Sequence, residues 1–185
     1  MLRHSAAVPS SDDEKDADRA LSEEGRTLAA GVGRAATECG WVPDLTLCSA
    51  SRRSRETLEV MRRGNPAFGA EGRTIYLGSL YHFASLDGQY RHHLTECVAR
   101  ETCPPTEAAC ERIPEARTIM AVGHNKGMEE AVTELCGEDV RLLTATAALL
   151  ERDVDAAEEN WERAMSTAGG WRLVAIATPT GVIRK

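Results

Sequence analysis

No apolar run in the 185-residue chain approaches the roughly 18 to 20 residues that a membrane-spanning helix requires. The strongest, TIMAVG and LVAIA, are strand-sized. The start also lacks the cationic and then apolar stretch of a secretory signal, and the acidic SSDDEKDADR follows almost at once. The cytoplasm is the expected compartment. Positive charge is in deficit, 22 Lys and Arg against 29 Asp and Glu for a net charge of -7. That argues against a broad nucleic-acid or anionic-membrane surface, while leaving room for a local cationic pocket. The six cysteines (Cys39, Cys48, Cys97, Cys103, Cys110, Cys136) show neither C-x-x-C spacing nor the disulfide framework of a small secreted chain. Most are expected as buried small hydrophobes; Cys103 and Cys110, which flank a proline-containing loop, could pair under oxidation.

What is present suits one folded domain. Hydrophobic residues make up 42% and charged residues 28% of the chain, a balance too apolar for disorder. A chain this long buries a core without disulfides or metal. Strand-like and helix-like segments alternate, with no internal repeat or low-complexity tract. In ALSEEGRTLAAGVGRAATECG, Ser22 is a natural N-cap, Glu23 and Glu24 suit the positive end of the helix dipole, and Gly40 can end the helix. PDLTLCS then reads as a short buried strand and RRSRETLEVMRRG as a helix closed by Gly64. The same strand, turn and helix unit returns in RTIMAVGH followed by NKGMEEAVTELCG, with a helical QYRHHLTECVARE between the two. TATAALLER and WRLVAIAT read as two more strands separated by a helical DAAEENWERAM. The alternation predicts a single α/β domain over residues 1–185, a three-layer sandwich with a mostly parallel central sheet flanked by helices.

In open α/β sheets ligands gather beyond the carboxyl ends of the strands, where helix N-termini turn free N–H groups outward. Three such ends carry notable chemistry here. The opening MLRHSAAVP sets Arg3 beside His4; alone, a terminal RH pair reads as surface or frayed chain. In LCSASRRSRET, Ser49 closes a strand and Arg52, Arg53 and Arg55 open a helix, a pattern that also suits a solvated helix face. In AVGHNKG, His124 leaves a strand between Gly123 and Gly127, which let backbone come close to a ligand. Brought to one rim, two histidines and an arginine cluster make a pocket for a doubly charged anion such as a phosphoryl group, because guanidinium forks match its oxygens two at a time.

The ordered segments LRHS, DRALSEEG, CSASRRSRET and VGHNKG resemble the histidine phosphatase superfamily, and most of all its small phosphohistidine-phosphatase branch. The resemblance runs over nearly the whole chain, including TATAALL and WRLVAIATPTGV. It implies a phosphoglycerate-mutase-like fold and a phosphatase that acts on a protein phosphohistidine or a small phosphoester through a covalent intermediate, with no metal or other cofactor. Carried over residue by residue, it makes His4 the nucleophile, Arg3 and Arg53 clamps on the phosphoryl oxygens, and His124 the second pocket histidine that helps to hold them. Arg53 matches the family position four residues after Ser49 and four before Thr57, which leaves Arg52 and Arg55 as helix-surface charges. The chemistry is self-consistent: neutral imidazole attacks phosphorus, positive groups stabilise the equatorial oxygens, and water then hydrolyses the phosphohistidine. The expected partner is a phosphorylated protein or small phosphorylated molecule, with no nucleic acid and no membrane.

Ser5 stands where the family usually has glycine or alanine, adding a hydroxyl near the site, and Lys126 where the branch often has proline, adding a cation at the rim. Only Met1 and Leu2 precede Arg3, where the family generally has several apolar residues, so the first strand is expected to be very short or truncated. No general acid is identified: Tyr81, His82 and Asp87, in LGSLYHFASLDG, are candidates that spacing does not separate. His92 and His93 read as structural or surface groups; His93 and Cys97 share a helix face at i, i+4, but two further zinc ligands are not evident. Trp41, Trp161 and Trp171 are expected at the core or its boundary. Two alternatives remain. One is a phosphosugar phosphatase or mutase of the same superfamily, although the chain shows no room for the insertions that enclose a mutase's substrate. The other is a catalytically silent module that keeps the phosphate pocket to recognise phosphorylated partners.

Overall fold

The computed structural model describes residues 1–10, 15–82, 88–102, 116–153 and 160–185. Local signals at Ser22 become a helix as the sequence predicts: Ser22 Oγ accepts from the Gly25 N–H, and α1 runs over Glu23–Glu38. Gly40, at φ 75°, turns the chain just beyond its end. Strand β1 is Leu2–Arg3 and β2 is Leu45–Ser49; α2, Arg52–Gly64, follows after a two-residue turn. Then come β3 (Thr74–Leu77), the single-turn α3 (Ser79–His82), α4 (Tyr90–Thr102), β4 (Ile119–Gly123) and α5 (Asn125–Cys136). The chain finishes with β5 (Ala147–Glu151), the short α6 (Trp161–Ser166), β6 (Arg172–Thr178) and β7 (Gly181–Arg184).

The strands form one seven-stranded sheet in the order β3-β2-β4-β1-β5-β6-β7. Neighbours β3, β2, β4 and β1 are parallel, whereas β5 is antiparallel to β1 and to β6, and β7 is antiparallel to β6. Five strands therefore point one way, and β5 and β7 the other. Every residue of β2 is buried, as a parallel strand covered on both faces requires. In β6 exposed or half-buried residues alternate with buried Leu173, Ala175 and Ala177, the period of a half-covered strand. Leu94, Val98, Met128, Val132 and Leu135 of α4 and α5 pack on one face, and Val32, Leu58 and Met61 of α1 and α2 on the other. The result is the three-layer α/β sandwich.

The two-residue β1 is central. Leu2 is fully buried, in register with Val122 of β4 on one side and Ala147 of β5 on the other. The Met1 amino group donates to the Ala148 carbonyl at 2.9 Å, and burial pushes its pKa down to about 5. After β5 the structure differs from the sequence reading in two elements. GVIR forms a hairpin with β6, and the last helix is confined, among described residues, to WERAMS, capped by Asn160 Oδ1 on the Arg163 N–H. Residues 155–159 of the expected longer helix lie outside the described residues.

Trp161 and Trp171 stack with ring centroids 5.9 Å apart, and Trp41 packs against the core on the α1 side. Cys48 and Cys97 are buried, Cys39 and Cys136 half-buried, and all four are free thiols; Cys103 and Cys110 lie outside the described residues. No helix among the described residues is long and apolar enough to cross a membrane.

Candidate active site

Sheet register gathers three chain segments at one edge. Arg3 pairs with Gly123 and Cys48 with Val122, so β1, β4 and β2 end side by side. His4 follows β1, with its N–H on the Gly123 carbonyl at 2.9 Å and its carbonyl accepting from Ala145 N at 3.2 Å. His124 is the N-cap residue of α5, in extended conformation at φ -111° and ψ 156°. Ser51 holds the same position before α2. The Ser5 hydroxyl turns inward rather than toward the site. It donates to the Gly25 carbonyl at 2.6 Å while the Ser5 N–H donates to Thr57 Oγ1 at 3.0 Å, fastening the segment after His4 to α1 and α2. The fit is tight, since a Cβ on Gly25 would stand 1.9 Å from the Ala6 carbonyl oxygen.

Hydrogen-bond partners define both histidine tautomers. A carbonyl only accepts and a guanidinium only donates. His4 Nδ1 lies 2.7 Å from the Ser5 carbonyl and therefore carries the proton; His4 Nε2 accepts from Arg53 Nε at 3.1 Å and keeps a lone pair. His124 Nδ1 accepts from Arg53 Nη2 at 3.4 Å, which leaves the proton on Nε2, donated to Ser49 Oγ at 2.9 Å. The Ser49, Ser51 and Ser54 hydroxyls continue that chain inward. The two rings stand edge to face with centroids 5.0 Å apart.

Electrostatics keep both rings neutral. Burial, followed by the fields of Arg53, Arg3 and Arg19, pushes His4 down to about 4, against an opposing hydrogen bond to Ser5. Burial, the His4 ring and Arg53 push His124 down to about 3, with Asp16 pulling the other way. Arg53 itself is buried and Arg3 half-buried. Arg3 Nη1 donates to the Leu142 carbonyl at 2.7 Å, whereas its Nε is buried with no hydrogen-bond partner among the described residues. A cationic donor left unsatisfied beside two neutral imidazoles is what an anion would complete.

The structure thus brings His4, Arg53 and His124 into direct contact and sets Arg3 beside them. Arg52 pairs with Glu56 on the exposed face of α2, and Arg55 lies over the Tyr76 ring at 4.8 Å, so neither joins the pocket cluster. Of the acid candidates, Tyr81 is at the site, its ring 5.2 Å from that of His124 and its hydroxyl 2.9 Å from Asp16 Oδ2. His82 is exposed at the end of α3, and Asp87 lies outside the described residues. Lys126 is exposed in the first turn of α5. His93 Nε2 contacts Cys97 Sγ at 3.5 Å, His92 pairs with Glu96 on the surface, and no group of three metal-ligating side chains occurs among the described residues.

Sequence reasoning missed Asp16. Its Oδ2 accepts from Arg53 Nη2 at 2.8 Å and its Oδ1 from Arg19 at 2.7 Å. Burial alone would raise its pKa, but hydrogen bonds from Arg19, Tyr81 and Arg53 hold the carboxyl well below the usual carboxylate range.

No protein-family model matches the chain. An uncharacterized chloroplastic protein of Arabidopsis thaliana is 35% identical over 185 residues, which span 99% of this chain and 78% of the plant protein. Among solved structures, SixA from Agrobacterium tumefaciens superposes with a TM-score of 0.66 at 24% identity, covering 95% of this chain and 93% of that one. The protein histidine phosphatase SixA complexed with tungstate gives 0.65 at 16% identity, covering 96% and 94%. The identity to the plant protein puts the two in one family, and the chain shares the fold of these solved SixA phosphatase structures.

Proposed function

We propose that this pocket is a phosphatase site that works through a phosphohistidine formed on His4 Nε2. The observation that carries the reading is the His4 ring itself. Its Nδ1 proton is committed to the Ser5 carbonyl, and its Nε2 lone pair is held against Arg53. In the first step Nε2 attacks phosphorus, the bond from phosphorus to the leaving group breaks, and the leaving group departs with the bonding pair. The phosphorylated ring then carries a positive charge that the Ser5 carbonyl supports through the Nδ1 proton. In the second step water attacks phosphorus, releasing inorganic phosphate and returning neutral His4.

Arg53 and Arg3 supply donors to the phosphoryl oxygens, Arg3 through the buried Nε that has no other partner among the described residues. A phosphoryl dianion beside His124 raises that ring's proton affinity, so Nδ1 takes up a proton and donates to an oxygen.

Neither described acid candidate is poised to release a proton to the leaving group. Tyr81 is pushed up by burial and by its hydrogen bond to Asp16, and His82 is exposed at the end of α3. Leaving groups that need no acid, a protonated imidazole or a phenolate, suit such a site; an alkyl oxygen gains roughly 10² to 10⁴ in rate from a positioned acid. The favoured substrate class is therefore phosphohistidine, with aryl phosphates as surrogates. Hydrolysis rates for phosphohistidine, 4-nitrophenyl phosphate and an alkyl phosphate test this order. Preference for the alkyl phosphate contradicts it, and no turnover of any of the three supports a silent phosphate-binding module.

A further inference from the structure

Arg53 uses its two edges on different partners. Along one edge Nε donates to His4 Nε2 at 3.1 Å and Nη2 faces His124 Nδ1 at 3.4 Å. Across the end of the fork, Nη1 donates to the Asp16 carbonyl oxygen and Nη2 to Asp16 Oδ2 at 2.8 Å. The guanidinium is planar and its five N–H directions are fixed relative to one another, so gripping the end edge sets the aim of the other.

The grip is itself braced. Arg19 Nη1 donates to Asp16 Oδ1 at 2.7 Å, and Arg19 Nε and Nη2 hold the Val8 carbonyl at 3.0 and 2.8 Å. Tyr81, in α3, donates to Oδ2 at 2.9 Å. Asp16 lies in a short 3₁₀ turn, Asp16–Asp18, with its side chain 47% exposed, yet three side chains donate to it. An isolated surface ion pair needs no such convergence.

We propose that Asp16 is a positioning residue for Arg53. Its carboxylate and carbonyl oxygens lock the end of the guanidinium fork and keep the Nε and Nη2 edge presented to the phosphoryl site between His4 and His124. The purpose of this lock rests on the phosphatase reading; the contact geometry does not. The same contact has an electrostatic side that pulls in the opposite direction. A carboxylate near an oxyanion site repels the oxyanion, so if Asp16 only neutralised Arg53, removing it would tighten anion binding. Positioning and neutralisation therefore predict opposite signs.

The test compares tungstate inhibition, kcat and KM for 4-nitrophenyl phosphate, and Tm among the wild type, Asp16→Ala, Asp16→Asn and Asp16→Glu. Positioning predicts that Asp16→Ala weakens tungstate inhibition about tenfold or more and lowers kcat/KM by a similar factor, kcat included, at a Tm close to that of the wild type. Asp16→Asn, which keeps an acceptor oxygen, falls between, and Asp16→Glu recovers part of the loss. Tungstate that inhibits Asp16→Ala as well as the wild type, or better, overturns the proposal. If Asp16→Ala does not fold, Asp16→Asn carries the same test of sign. A wild type that binds tungstate without turnover removes the phosphatase reading alone and leaves direct tungstate binding to decide the role of Asp16. A wild type that does not bind tungstate removes both.

Discussion

His4 and His124 meet edge to face at 5.0 Å, each turning an unprotonated ring nitrogen toward Arg53. Two neutral imidazoles against one guanidinium make a pocket whose positive charge comes from arginine alone. It is ready for an oxyanion without first having to lose a proton from the nucleophile.

That state has a pH signature. His4 is pushed down to about 4 and His124 to about 3, chiefly by burial, from an ordinary value of 6.5. Between 6.5 and about 4 the unfolded chain binds protons that the folded chain refuses, so stability is full above 6.5 and falls as pH drops through that window. NMR titration of the imidazole resonances should find both rings neutral at pH 5.5. The Tm of His124→Gln should fall less steeply from pH 7 to pH 4 than that of the wild type. A midpoint near 6.5 for either ring contradicts the assignment.

Arg53 donates to both rings, and its loss should be felt by any bound oxyanion. Arg53→Ala is expected to weaken phosphate, vanadate or tungstate inhibition by roughly 1.5 to 3 kcal/mol, the scale of a charge-assisted pair. Equal inhibition of the variant and the wild type counts against Arg53 as an oxygen clamp.

Gly25 sits under the segment that carries His4. A methyl group there meets the backbone oxygen of Ala6 at 1.9 Å, and backbone yields less readily than a side chain. Gly25→Ala should destabilise the protein by roughly 1 to 3 kcal/mol, with a lower Tm and lower turnover together, because Ser5 and His4 move with Ala6. A Tm equal to that of the wild type would show that the segment relaxes without cost.

Most of the site was legible because it is built from strand ends. In LCSASRRSRET and AVGHNKG the last strand residue, the turn and the first helical turn are contiguous, so local pattern placed Ser49, the cluster of Arg52, Arg53 and Arg55, and His124 on one edge, and the family resemblance singled out Arg53. Asp16 was hidden in the acidic run SSDDEKDADR, where nothing local distinguishes it. Its meaning comes from Arg53, 37 residues away, and from Tyr81, 65 away. The inward turn of Ser5 depends likewise on Gly25 and Thr57, and only the placement of α3 separates Tyr81 at the pocket from His82 at the surface. GVIR escaped notice because a four-residue edge strand declares itself through its partner β6 rather than through its own pattern.

The central claim is a covalent phosphoryl group on His4 Nε2, and mapping the label after acid-free denaturing quench with ³²P-labelled substrate tests it most directly. The account predicts label on the peptide that contains His4, stable to base and released by acid as a phosphoramidate is, with both label and turnover absent in His4→Ala. Label on the peptide that contains His124, or turnover that survives His4→Ala, would contradict it.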